Sequence, residues 1–306
     1  MTQLVALFAG PSRDNGFYES GLRGALAACE ELDLQFSFQE GFGPQAERLA
    51  DAARAAARQA PDYLLVHGGS SDIAVAAVAP EFPRTVFLST HGTQAGPNFS
   101  SFNIRQPQSA FLAGALAALT SRSGVIGHLS GIRIPPGLHA RAAWAQGARH
   151  VRPDVGIVTC FCGAQDDNEL SRRHALAVIA QGADVLYTML NAGRQGAIDA
   201  CREKGVPQIG NVIDWCAVHP DVFIASAIAN NGRGVLQWLR DATSGKLTAG
   251  EVRWLGMEDP QAVRLAMAAG VPAAVRVHID ALADELRAGR IVLETDYAGA
   301  ELAPLG

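Results

Sequence analysis

Leu4-Val5-Ala6-Leu7-Phe8, stopped by Gly10-Pro11, is the stretch from which the fold can be read. Five apolar residues in a row, bounded by a Gly-Pro break, read as a strand covered on both faces. Phe17–Leu32 then carries Leu22, Ala25, Leu26 and Cys29 at helical spacing, and residues 34–38 alternate as a second strand. Strand, helix, strand is the crossover unit of a parallel sheet. The unit repeats: 45–59 is an Ala- and Arg-rich helix, and Asp62-Tyr63-Leu64-Leu65-Val66-His67 is a buried strand closed by Gly68-Gly69-Ser70. A helix starts at Asp72, and 85–88 is a strand.

The pattern restarts in the second half. Residues 108–119, 138–151, 170–180 and 193–204 read as helices. Residues 124–129, 155–161, 183–188 and 207–212 read as strands. The expected fold is α/β, with two similarly built lobes that each hold a parallel sheet flanked by helices. A first crossover between lobes is expected at 98–103. The strand 222–229, the helix 232–242 and the strand 251–255 then return the chain to the first sheet. A helix at 279–286 and a strand at 291–293 complete the second.

Composition agrees with two ordinary cores. The chain has 306 residues, 48% of them hydrophobic and 18% charged, which excludes a disordered tail protein. Its 25 basic and 30 acidic residues give a formal charge of −5, so there is no broad cationic field for nucleic acid or an anionic membrane. No apolar run approaches the roughly 20 residues that cross a bilayer. The first run ends too soon for a signal sequence. The chain is therefore expected to start at its first structural element, either because the protein is cytoplasmic or because a leader has been removed. Five cysteines, among them Cys160 and Cys162, form an odd set without a CxxC spacing. They read as small core residues ahead of a redox or soft-metal pair.

In open parallel sheets, ligands meet the loops at the carboxyl ends of strands. The first such loop, Asp14-Asn15-Gly16-Phe17, offers a carboxylate, a carboxamide and an aromatic ring within four residues. Those groups suit the edge and face of a flat heterocycle. They equally suit a helix cap with a hydrophobic staple. Gly69 and Ser70 can present backbone N–H groups at a helix start, but no Lys-Ser/Thr follows as in a phosphate loop. His91 sits at the fourth strand end, and Asn191, Asp214 and Trp215 lie at strand ends of the second lobe. No nucleophile elbow, zinc-protease motif or zinc-spaced Cys/His cluster occurs, so no catalytic residue, metal site or cofactor is assigned. Asp166-Asp167 precede a helix and read as capping.

On these residues the chain resembles the basic membrane protein (BMP) or PnrA-like family of ABC-transporter substrate-binding proteins, many of which bind purine nucleosides or bases. The resemblance rests on Gly10-Pro11-Ser12-Arg13-Asp14-Asn15-Gly16-Phe17, Asn103 with Phe111-Leu112-Ala113-Gly114, Gly124-Val125-Ile126-Gly127 and Gly147-Ala148. It continues through Arg152-Pro153-Asp154-Val155, Gln181-Gly182-Ala183-Asp184, Lys204-Gly205-Val206 and Gly256-Met257-Glu258-Asp259, in order and at matching spacing.

The resemblance implies a type I periplasmic-binding-protein fold with a ligand cleft at a three-segment hinge. It divides the chain into an N-terminal lobe of 1–103 plus 230–259 and a C-terminal lobe of 104–229 plus 260–306. It implies that Phe17 stacks on the ligand and that Asp14 and Asp214 accept from its N–H groups. Ser70 and Asn191 orient it, with Asn15, Gly69, His91 and Trp215 nearby. Two departures stand out: Val212 replaces an acidic residue of the family pattern, and Gln165 stands where relatives often place a second aromatic. Phe161 or Trp215 is the candidate to compensate. A purine base or similar heterocycle is thus expected ahead of a full nucleoside, with an ABC permease as partner and no nucleic acid or membrane insertion. With a leader removed, the protein is expected to be periplasmic or lipoprotein-anchored. The alternative is a cytoplasmic small-molecule sensor that uses the same cleft without a transporter.

Overall fold

The computed structural model describes residues 2–43, 45–247 and 250–303. Met1 and residues 304–306, the outer ends of the two expected lobes, lie outside them. The chain forms two compact units, Met1–Ile104 with Asn230–Leu255 and Arg105–Ala229 with Gly256–Gly306. It passes from one to the other three times.

In chain order the first unit begins with β1 (Gln3–Phe8), α1 (Phe17–Leu32), β2 (Gln35–Glu40), α2 (Ala46–Ala57) and β3 (Tyr63–His67). It continues with α3 (Ser71–Val78), a 3-10 turn at Ala79–Glu81, β4 (Val86–Thr90) and β5 (Phe99–Ile104). The second unit runs through α4 (Gln106–Thr120), β6 (Val125–Ser130), α5 (Pro135–Val151), β7 (Gly156–Phe161), α6 (Asn168–Ala180), β8 (Leu186–Met189), α7 (Arg194–Lys204), β9 (Gln208–Val212) and β10 (Phe223–Ala229). The chain returns to the first unit for α8 (Asn231–Thr243) and β11 (Val252–Leu255). It ends in the second with β12 (Val263–Met267) and α9 (Ala273–Arg287).

Each unit is built on a six-stranded sheet, in the order β11-β5-β4-β3-β1-β2 and β12-β10-β9-β8-β6-β7. The first is parallel throughout. Its central strands are buried on both faces, as continuous apolar runs require. The second is parallel except for β12, which runs antiparallel to β10 from Ala229↔Val263 to Ala225↔Met267.

Three details depart from the sequence reading. The strand at 222–229 stays in the second sheet, so the return to the first unit begins with α8. Gly256, Met257, Glu258 and Asp259, assigned by sequence to the first lobe, belong to the second unit: the Met257 N–H donates to Oε1 of Gln108 on α4 at 2.9 Å. The strand expected at 291–293 does not form. Its three apolar residues have no face to cover, and Val292 is 83% exposed. The tail is held otherwise, by Gln146 Nε2 donating to the Val292 carbonyl and the Leu302 N–H donating to Thr159 on edge strand β7.

Helices α4 and α5 touch backbone to backbone. A β-carbon on Gly114 would fall on the Trp144 carbonyl oxygen, and one on Gly147 on that of Phe111. Two glycines among the quoted anchors thus have a packing reason.

Candidate functional site

At the carboxyl end of β1, Asp14 is 0% exposed and works as a helix cap. Its Oδ1 accepts from the N–H groups of Gly16 (2.9 Å) and Glu19 (3.0 Å), and its Oδ2 from Tyr18 (3.1 Å). A carboxylate there satisfies orphan donors of the first turn and complements the positive helix end. Asp14 thus anchors the start of α1. Asn15 is exposed, with φ 52°, and its N–H donates to Glu19 Oε2 at 3.0 Å.

Phe17, the first residue of α1, is half-buried. Its ring lies nearly parallel to His67, with centroids 4.2 Å apart at 21°, and meets His91 at 4.8 Å and 79°. His91 has φ 56°, and its Nε2 lies 2.9 Å from Oδ1 of Asn231. Burial lowers the His91 pKa, so the ring is neutral.

After β3, Gly69 is exposed and Ser70, with φ 65°, opens α3 without capping it. The Ser70 hydroxyl and the Gly69 and Ser70 N–H groups have no partner among the described residues. The surrounding loops are pinned: Ser71 Oγ donates to the Thr90 carbonyl at 2.6 Å, and Asp72 Oδ2 accepts from the Thr93 N–H at 2.8 Å.

In the second unit, Asn191 follows β8. Its N–H donates to the Gln165 carbonyl at 3.1 Å, and its carboxamide has no partner among the described residues. Asp167 caps α6, accepting from the Leu170 N–H (2.9 Å), whereas Asp166 accepts from the Ala192 N–H (3.0 Å) in the loop before α7. Asp214 Oδ1 accepts from the Cys216 N–H at 3.1 Å and the Ser226 hydroxyl at 3.4 Å.

Trp215 packs in the core of the second unit. It is 4% exposed, its indole N–H donates to the Asn211 carbonyl at 3.0 Å, and the Arg194 guanidinium lies over its ring at 4.5 Å. Phe161 is covered in the same way, by Arg141 at 3.7 Å and Arg133 at 5.0 Å. Both rings proposed to replace the second aromatic already carry a guanidinium. Gln165 packs on Gly131, where a β-carbon would stand 2.5 Å from its carboxamide.

Sequence reasoning passed over His67, Asn231, Arg194 and the backbone at Val212. Arg194 is buried and reaches Asn211, Thr188 and the Leu190 carbonyl. Val212 has φ 71°, and across it the Ile213 N–H donates to the Asn211 carbonyl at 2.9 Å. That is a γ-turn of the rare, strained kind, in a region β-branched residues avoid. Among the described residues no group of three or more His, Cys, Asp or Glu is placed to hold a metal ion. Burial pushes the Cys160 thiol up to about 12, which keeps it protonated and inert.

Residues 1–268 match the family model of the PnrA-like ABC transporter substrate-binding protein. Among curated proteins, basic membrane protein A2 of Borrelia garinii is 27% identical over 235 residues, 74% of this chain and 68% of that protein. A purine-binding protein of Brucella abortus is 22% identical over 182 residues, 60% of this chain and about half (51%) of that protein. Among solved structures, a solute-binding protein of an ABC transporter system from Aeropyrum pernix K1 superposes with TM-score 0.86. It is 20% identical, over 96% of this chain and 94% of that one. The two helix-flanked parallel-sheet units are those of a type I periplasmic-binding-protein fold.

Proposed function

We propose, for a chain that belongs to the PnrA-like family of ABC transporter substrate-binding proteins, that its ligand is a purine base or a similarly flat, uncharged heterocycle. The observation that carries this reading is Phe17: a partly exposed ring stacked on His67 and met edge-on by His91 at the start of α1. The ring supplies a stacking surface. The Ser70 hydroxyl and the Gly69 and Ser70 N–H groups supply hydrogen bonds to ring nitrogens or exocyclic groups, and neutral His91 stands at the edge of Phe17. The naming of the Brucella relative as purine-binding points the same way.

A base is preferred to its nucleoside because Val212, buried and apolar, cannot chelate ribose hydroxyls as a carboxylate does. With Phe161 and Trp215 covered by guanidinium groups, no second ring of theirs closes a sandwich, which forgoes about 1 kcal/mol. An ABC permease is the partner that takes the ligand-bound protein. We place this step outside the cytoplasmic membrane. Among the described residues no helix is long and apolar enough to cross one. The transporter-free sensor is the less favoured reading, because the matching family model describes transporter components.

A thermal-shift panel tests this. Adenine, hypoxanthine or guanine at 100 times its dissociation constant adds roughly 2.7 kcal/mol of apparent stability. The matching nucleoside is expected to give less, and a nucleotide none. A panel in which no purine base raises the melting temperature contradicts the proposal.

A further inference from the structure

We propose that His67 is a positioning residue of the ligand site, whose ring and Nε2–H together hold Phe17 in the plane where a heterocycle stacks. This rests on the reading of Phe17 as the stacking residue. His67 is the last residue of β3 and is fully buried. Its Nε2 lies 3.0 Å from the Phe17 carbonyl oxygen. A carbonyl can only accept, so the proton sits on Nε2. The same imidazole lies parallel to the Phe17 ring. One residue therefore grips both the backbone and the side chain of Phe17, fixing the start of α1 and the tilt of the ring.

The surroundings are fitted to that imidazole. Gly21, on the next turn of α1, leaves its space: a β-carbon there would stand 2.7 Å from His67 Cε1 and Nε2. Phe8 and Tyr18 wall it at 5.5 Å and 5.8 Å in edge-on contacts. Burial lowers its pKa to about 3, so the ring is neutral at physiological pH and places no charge beneath the ligand. A leucine or phenylalanine would fill this volume, but neither could donate to the carbonyl of the residue whose ring it supports.

The test is calorimetric titration of adenine into the wild type, Phe17→Ala, His67→Ala, His67→Gln and His67→Phe, with a thermal melt of each. Expected are a loss of affinity of at least tenfold in Phe17→Ala and at least fivefold in His67→Ala. Partial recovery is expected in His67→Gln, whose amide can donate to the same carbonyl. Should His67→Ala not fold, His67→Phe, which keeps a ring but no donor, takes its place with the same expected loss. Wild-type affinity in the folded His67 variant alongside a weakened Phe17→Ala overturns the positioning role alone. Wild-type affinity in Phe17→Ala, or no binding of adenine, hypoxanthine or guanine by the wild type, overturns the stacking reading and the positioning role with it.

Discussion

The fully buried guanidinium of Arg141 on α5 is met by Glu301 near the end of the chain, with Nη1 and Oε1 2.8 Å apart. Arg141 also donates to the Cys160 carbonyl at 2.6 Å, and the same carboxylate takes Arg133 on its other oxygen at 2.6 Å. Burial lowers the Arg141 pKa and Glu301 opposes that shift. Removing one partner of such a pair strands the other charge. Glu301→Ala is expected to lower stability by about 2–3 kcal/mol in urea denaturation, less than a wholly buried pair because Glu301 is partly exposed. Adding Arg141→Met to that variant should recover part of the loss.

The contact between α4 and α5 predicts a second effect. At Gly114 and Gly147 there is no room for a methyl group beside the facing carbonyl oxygens. Either Gly→Ala change forces the helices apart and is expected to cost about 3 kcal/mol, the upper range for overpacking. Thermal melts check this, and a change below 0.5 kcal/mol, which surface substitutions give, contradicts it.

Stability should fall on mild acidification. His67, His91 and His128 are all depressed by burial, His67 to about 3. Below about 6.5 the unfolded chain binds protons at these rings that the folded chain does not, so stability rises with pH through this window. His67 alone accounts for about 2 kcal/mol lost between pH 7 and pH 5. Its share persists down to about pH 3. Urea midpoints measured across pH 5–7 give the slope, and His67→Gln should flatten it.

Asp14→Ala removes the acceptor for three N–H groups of α1 and is expected to cost about 2 kcal/mol, at the high end for a lost cap. Because Phe17 opens the same helix, adenine affinity should fall as well, although Asp14 is fully buried. Urea denaturation and titration of one preparation measure both.

The central strands were readable because each is a short apolar run covered on both faces, a pattern with few alternatives. The antiparallel β12 was missed, since Val263-Arg264-Leu265-Ala266-Met267 mixes a charge into a partly covered strand. The strand expected at 291–293 failed for the opposite reason, apolar residues with no face to bury.

Within the candidate site, Asp14 carried two readings at once, and its three accepted N–H bonds show the cap. His67 closes an apolar run and looked like packing. Its partner is a backbone carbonyl 50 residues away, which no side-chain pattern encodes. Trp215 stood at the expected strand end, but its ring is covered by Arg194, which approaches from α7, the preceding helix. The left-handed backbone at Val212 has no sequence mark, because valine avoids that region.

The most direct measurement is calorimetric titration of adenine into the wild type and Phe17→Ala under matched conditions. A one-site isotherm for the wild type, at least tenfold weaker in a Phe17→Ala protein that melts within a few degrees of it, is the expected result. No heat of binding from any purine base with the wild type, or equal affinity in both proteins, contradicts a purine-binding site built on Phe17.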